Sequence, residues 1–214
     1  MQRADDTVER AVRSFAAAML GEISHELNNR LATMRETVGL LEDLAHAGKT
    51  GAAAAARAHA SLDEQVGLSL NIVRSLGSLG VTLGASAGAF DAGAAVGDLL
   101  ALTERWARRH ALRVERDIPA QLPPAAGDPA LLLCLVHRWL ARCAEIPSTG
   151  GGVLVRIAGV GSRTAVLLLP TGARRGSLRA ADDDGTDIEL ALRLGAGLTI
   201  EGGGALTILL AAAR

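Results

Sequence analysis

Two long apolar seams joined by a glycine-flanked turn constrain this chain more than any other feature. From about Thr7 to Ala47, apolar residues recur at Ala16, Leu20, Ile23, Leu27, Leu31, Met34, Val38, Leu41 and Ala45, in steps of 4, 3, 4, 4, 3, 4, 3 and 4. That spacing predicts one long helix with a coiled-coil-like face. The two consecutive fours make a stutter around Leu27, a local relaxation of any supercoil. Gly48-Lys49-Thr50-Gly51 has the punctuation of a helix end. A second helix is expected from about Ala52 to Leu83, with a seam of Leu62, Val66, Leu70, Val73, Leu76, Leu79 and Leu83. Gly67, Gly77 and Gly80 weaken it by about 1 kcal/mol each relative to alanine, so packing must hold it. Two antiparallel helices alone cannot bury both stripes. Pairing two hairpins about a twofold axis into a four-helix bundle is the economical solution, which makes a homodimer the expected state.

Beyond the small-residue linker Gly84–Ala89 the pattern changes class. A helix is expected from Gly93 to His110, an alternating strand over Leu112–Ile118, a proline-rich loop over Pro119–Gly127 and an apolar helix over Pro129–Ile146. Val153–Val160 and Thr164–Leu169 read as a hairpin, Asp187–Leu194 as a helix, and Leu198–Glu201 with Ala205–Leu210 as a closing hairpin. The fold class is therefore α+β: a helical hairpin over residues 1–86, then an α/β sandwich over residues 87–214 with helices on one face of a mixed sheet.

Composition removes several function classes. Lys+Arg number 22 against Asp+Glu 23, a net charge of −1, so no global field draws the protein to nucleic acid or anionic lipid. Aromatic residues are confined to Phe15, Phe90, Trp106 and Trp139, leaving Leu, Val, Ile and Ala to build the core. Cys134 and Cys143 lie nine apart in one predicted helix, a spacing that suits neither a metal knuckle nor a redox pair. They read as buried thiols in a reducing compartment. The first residues are charged with no signal-like apolar region, and no uninterrupted apolar run approaches the roughly 20 residues that span a bilayer. A soluble, cytoplasmic protein is expected.

One cluster interrupts the first seam's simplicity: Gly21-Glu22-Ile23-Ser24-His25-Glu26-Leu27-Asn28-Asn29-Arg30-Leu31. At about 100° per residue, with Ile23 at zero, Leu27 falls near 40° and His25 near about 200°, almost opposite the seam. Glu22, Asn28 and Asn29 lie within about 60° of the histidine, and Glu26 lies on the flank. Ala18, Gly21 and Ala32 keep the neighbouring surface shallow. An imidazole ordinarily titrates near 6.5 and is mostly neutral at pH 7, as a nucleophile must be. Geometry alone makes His25 available, and an ordinary solvated face is the other reading.

Ser24-His25-Glu26-Leu27-Asn28-Asn29 resembles the H-box of bacterial sensor histidine kinases, in the His-Glu-x-Asn-Asn form of nitrogen-regulation-type kinases. The hairpin resembles their dimerisation and phosphotransfer domain, and the chain from about Phe90 resembles, more faintly, their ATP-binding domain. The resemblance implies that His25 is the phosphoacceptor and Glu26 its acid/base partner. It implies that Asn29 orients water or an aspartyl phosphate, and that Gly21, Glu22, Asn28 and Ala32 form a docking surface for a response-regulator receiver domain. Arg30 stands where the family usually has proline. The nucleotide half departs further. Gly127-Asp128-Pro129 matches the entry to the N-box helix, but the two asparagines expected there fall on Arg138 and Arg142. Pro170-Thr171-Gly172-Ala173-Arg174 replaces the adenine-recognition loop, and about 17 residues stand where the ATP lid belongs. Arg138 and Arg142 beside Glu145, Arg174-Arg175 and Asp182-Asp183-Asp184 read as ordinary solvated surface.

Mg-ATP needs oxygen ligands and a phosphate cradle, and neither is visible. The expectation is a histidine phosphotransferase similar to the dimeric phosphotransferases of phosphorelays, moving phosphoryl groups between receiver aspartates through His25. No cofactor is expected in this chain, Mg²⁺ being supplied by the receiver. A non-catalytic binder of receivers or kinases, possession of receiver phosphatase activity and ATP-dependent kinase activity are the alternatives.

Overall fold

The computed structural model describes residues 2–46, 52–84, 87–146, 151–172, 185–201 and 204–213. The Gly48–Gly51 turn, the Arg174-Arg175 and Asp182–Asp184 runs and Gly202-Gly203 lie outside them. Two long helices lead, α1 over Gln2–His46 and α2 over Ala52–Gly84. They are followed by β1 (Gly88–Phe90), α3 (Ala92–Arg109), β2 (Arg113–Asp117), β3 (Ala125–Gly127) and α4 (Pro129–Glu145). The chain continues through β4 (Gly152–Val160), β5 (Arg163–Thr171), α5 (Thr186–Leu194), β6 (Gly197–Ile200) and β7 (Leu206–Ala212).

The strands form one mixed sheet in the order β1-β3-β7-β5-β4-β2, with β6 also paired to β7. Only β2 and β4 run parallel; the other pairs are antiparallel. Register places Ile157 opposite Val166 and Val166 opposite Ile208, so these three project from the same face. That face also carries Val153, Val155, Leu168, Leu206 and Leu210, all buried in one core with α3, α4 and α5. The expected single-faced sandwich is present. The two shortest strands depart from expectation: β1 lies in the stretch read as linker and β3 in the stretch read as proline-rich loop. They consist of Gly-Ala-Phe and Ala-Ala-Gly, too short and too small-sided to alternate.

Both long core helices start from aspartate caps. Asp91 accepts a hydrogen bond from the Ala94 amide at 3.0 Å, and Asp128 accepts one from Ala130 at 2.8 Å with Pro129 following. Gly127, just before that cap, sits at φ +138° with Leu194 at its back, where an added Cβ would stand 2.8 Å from the Leu194 carbonyl oxygen. Only glycine fits there.

The first half of α1 packs on α3, α4 and α5 rather than standing apart from them. The residues it buries are Val8, Phe15, Met19, Ile23 and Glu26. On the helical wheel these lie from zero to about 80° on one side of Ile23, whereas Leu20, Leu31 and Val38 lie about 60–80° on the other. Those three keep 57 %, 58 % and 43 % of their surface, and on α2 Val66, Leu70 and Val73 keep 45 %, 48 % and 52 %. The anticipated seam is thus split: one edge buries against the α/β layer and the other is left uncovered within a single chain. Among the described residues, α2 is long and apolar enough to cross a membrane by length and composition, with a window of mean hydropathy 1.3. It meets that measure although polar and charged residues interrupt its apolar runs, as the sequence shows.

Candidate functional site

His25 lies on the exposed side of α1, turned away from the buried face. One helical turn on, the Asn29 amide nitrogen is 3.2 Å from His25 Nε2. With Asn29 donating, Nε2 presents its lone pair and the ring hydrogen sits on Nδ1. In that tautomer the Asn29 amide holds the ring through Nε2. Asn29 is itself fixed in place by a continuous helix, its carbonyl also accepting the Thr33 hydroxyl at 3.1 Å.

Glu26 is not a solvated flank residue. Its side chain keeps 11 % of its surface, with Oε1 2.5 Å from Arg30 and Oε2 2.6 Å from Arg105 of α3. The sequence missed this burial because Glu26 falls on the edge of α1 that meets the α/β layer, and that edge is chosen by a tertiary contact. Arg30 also donates to Gln65 of α2 at 3.2 Å. Glu22, one turn before Glu26, pairs with Arg109 of α3. The proposed docking residues divide between two hollows. Gly21 and Glu22 line a cleft of about 360 Å³ with Ala17, Ala18, Trp106 and Ala141, while Asn28 and Ala32 line another with Arg35 and Glu36. His25 lines neither of them.

The α/β half holds a correction. Arg138 and Arg142 are not ordinary solvent-facing arginines. Both reach Asp187, whose side chain is fully buried: Arg138 Nε is 2.8 Å from Oδ1, and Arg142 pairs with Oδ2. Arg142 also lies over the Trp139 ring, 4.9 Å from its centroid. The reason is tertiary, since α5 carries Asp187 onto the α4 face that sequence alone left open. Guanidinium groups cannot ligate a cation, and these two are committed to a carboxylate. The donor set at 138 and 142 therefore does not fit Mg²⁺. Among the described residues there is also no group of three or more His, Cys, Asp or Glu able to hold a metal.

Cys134 and Cys143 are buried as expected and form no disulfide, and burial raises the Cys134 thiol to about 11. His137 belongs to the same packed region, tilted against Phe15 of α1 at 5.3 Å and Trp106 at 5.7 Å between centroids. Burial first, and the Arg138 charge second, lower its pKa to about 4. An unfolded histidine takes up its proton near 6.5, so between about 6.5 and 4 the unfolded chain binds more protons than the folded one. Stability should therefore fall as pH drops through that window, by on the order of 3 kcal/mol in total. Urea midpoints measured from pH 7 to 4 should show this slope in the wild type and a flatter one in His137→Leu.

No protein-family model matches the chain, and no curated protein matches it in sequence. Among solved structures it is similar to the Acinetobacter baumannii histidine kinase AdeS, at 17 % identity and TM-score 0.48 over 89 % of this chain and 98 % of that one. It is similar to the histidine kinase domain of a blue-light activated histidine kinase from Erythrobacter litoralis, at 16 % identity and TM-score 0.44, covering 98 % and 94 % respectively. A mycobacterial sensor histidine kinase, MprB, is similar at 19 % identity and TM-score 0.43 over 60 % of this chain and 99 % of that one.

Proposed function

We propose that this protein is a cytoplasmic, homodimeric histidine phosphotransferase of a two-component phosphorelay. The observation that carries the reading is the outward His25 whose Nε2 is addressed by Asn29 at 3.2 Å. The Arg138–Asp187–Arg142 cluster supports phosphoryl supply from another protein rather than from ATP. In the proposed step, Nε2 attacks the phosphorus of an aspartyl phosphate on one receiver domain. An N–P bond forms, the P–O bond to the aspartate breaks, and the carboxylate leaves on the receiver. Nδ1 keeps its hydrogen. The reverse step then delivers the group to the aspartate of a second receiver. The receiver contributes the aspartate and Mg²⁺; this chain contributes the nucleophile, its orientation and a docking face around Gly21, Glu22, Asn28 and Ala32.

The test is to mix the dimer with ³²P-labelled receiver domains and follow acid-labile, base-stable label. Transfer to the wild type but not to His25→Ala supports the relay. Binding of receivers without label in either protein favours a non-catalytic regulator. A second reading, receiver dephosphorylation, is favoured by the half-buried Asn29 amide beside His25; it predicts that Asn29→Ala loses the activity while His25→Ala keeps it. Nucleotide binding, seen as a Mg-ATP-induced thermal shift, would favour a kinase instead.

The uncovered edge of the hairpin is the proposed dimer face. Introducing a charge there, as in Val73→Asp or Leu31→Glu, should convert a dimer to a monomer by light scattering on a sizing column. Ile188→Asp, on an exposed apolar site of α5, should leave the dimer intact.

A further inference from the structure

Glu22 and Glu26 are four residues apart on α1, and their partners Arg109 and Arg105 are four apart, in reverse order, on α3. The two helices therefore run antiparallel here, joined by two ionic rungs one helical turn apart. One ion pair fixes only a distance. Two rungs on successive turns fix both the rotation of α1 about its axis and its slide along α3. The second rung is also tied outward: Glu26 is held by Arg30, and Arg30 reaches Gln65 at 3.2 Å, so Gln65, Arg30, Glu26 and Arg105 form a chain across α2, α1 and α3. His25 is the residue immediately before that rung. Both Glu26 oxygens face guanidinium nitrogens, at 2.5 and 2.6 Å.

We infer that Arg105 is a positioning residue for His25, acting through Glu26, and that Glu26 serves the histidine as a brace rather than as a proton acceptor. This inference rests on the proposed phosphoacceptor role of His25. The brace sets the azimuth at which the imidazole meets a docked receiver, while the α/β layer behind it forms a fixed second wall. A receiver must approach along one line, so a rotation of α1 misplaces the attacking nitrogen. A small donor reaches an exposed imidazole from many directions and is indifferent to the same rotation.

The experiment uses the full-length protein with two donors. Potassium phosphoramidate is the small one: its P–N bond breaks, ammonia leaves, and the N–P bond to His25 forms. A phosphorylated receiver domain is the large one. In Arg105→Ala and Glu26→Gln, phosphoramidate labelling of His25 and its pH profile should stay within about two-fold of wild type, while transfer from the receiver falls about ten-fold or more. Arg105→Lys should restore most of the receiver rate. A Glu26→Gln protein whose phosphoramidate labelling drops ten-fold and whose pH profile flattens would overturn the inference, because Glu26 would then be the base. Unchanged receiver transfer in Arg105→Ala would overturn it as well. If no receiver labels even the wild type, the relay reading fails and the brace is read by itself. Spin labels at Ser24→Cys and Ala101→Cys should give one narrow distance in wild type and in Arg105→Lys, and a broad distribution in Arg105→Ala. A narrow distribution in Arg105→Ala would then refute the brace.

Discussion

Asp187→Ala is expected to destabilise the protein by about 3–5 kcal/mol, the range for breaking a buried ionic group by removing one partner. The Asp187 side chain has no exposed surface, whereas those of Arg138 and Arg142 keep 29 % and 14 %. Removing the carboxylate leaves two poorly hydrated cations on one face of α4, with Trp139 beneath Arg142 able to compensate only in part. Asp187 also occupies the first turn of α5, where a negative charge favours the helix. The alanine variant therefore loses a charge pair, a helix-terminal interaction and the tie between α4 and α5 together. Urea denaturation should show a lower midpoint at unchanged slope. Replacing all three groups, as Asp187→Leu with Arg138→Met and Arg142→Leu, should recover most of the loss, since apolar packing of similar volume commonly matches a buried ion pair. A loss under about 1 kcal/mol in Asp187→Ala would place the cluster with exposed salt bridges instead.

That cluster shows where sequence reading stops. Period and punctuation are local properties, and the elements they specify are present: both long helices, the capped α3 and α4, the β4–β5 hairpin and the closing β6–β7 pair. Charge pairing is not local. Arg138 and Asp187 are 49 residues apart, and Glu22 and Arg109 are 87 apart. The i, i+4 repeats of acids at 22 and 26 and of arginines at 105 and 109 are visible in the sequence, but nothing local says that they meet. Likewise the seam of α1 reads as one stripe, although its two edges face different surroundings. The face that holds His25 was legible because it depends only on helix geometry. The burial of Glu26, one residue later, was not, because it depends on which edge of α1 the α/β layer covers.

His25→Ala should lower acid-labile phosphate on the protein by about three orders of magnitude or more, the scale expected when a nucleophile is deleted. Because His25 is exposed and makes no packing contact in the buried core, this variant should keep the wild-type urea midpoint to within about 0.5 kcal/mol. Asn29→Ala separates orientation from nucleophilicity. In the resting protein the Asn29 amide holds Nε2, the nitrogen that attacks in the proposed relay, at 3.2 Å. It must swing aside for the N–P bond to form, and it can then donate to a phosphoryl oxygen as charge develops there. Its removal costs that donor but frees the ring, so labelling by a receiver should fall by about 10²-fold at most rather than vanish. Phosphoramidate labelling should change less, because a small donor does not need the ring held at one angle. Equal loss of label in Asn29→Ala and His25→Ala from both donors would mean that the amide is part of the nucleophile's chemistry. Receiver dephosphorylation lost only in Asn29→Ala would instead assign the Asn29 amide to a water molecule, and make His25 its support.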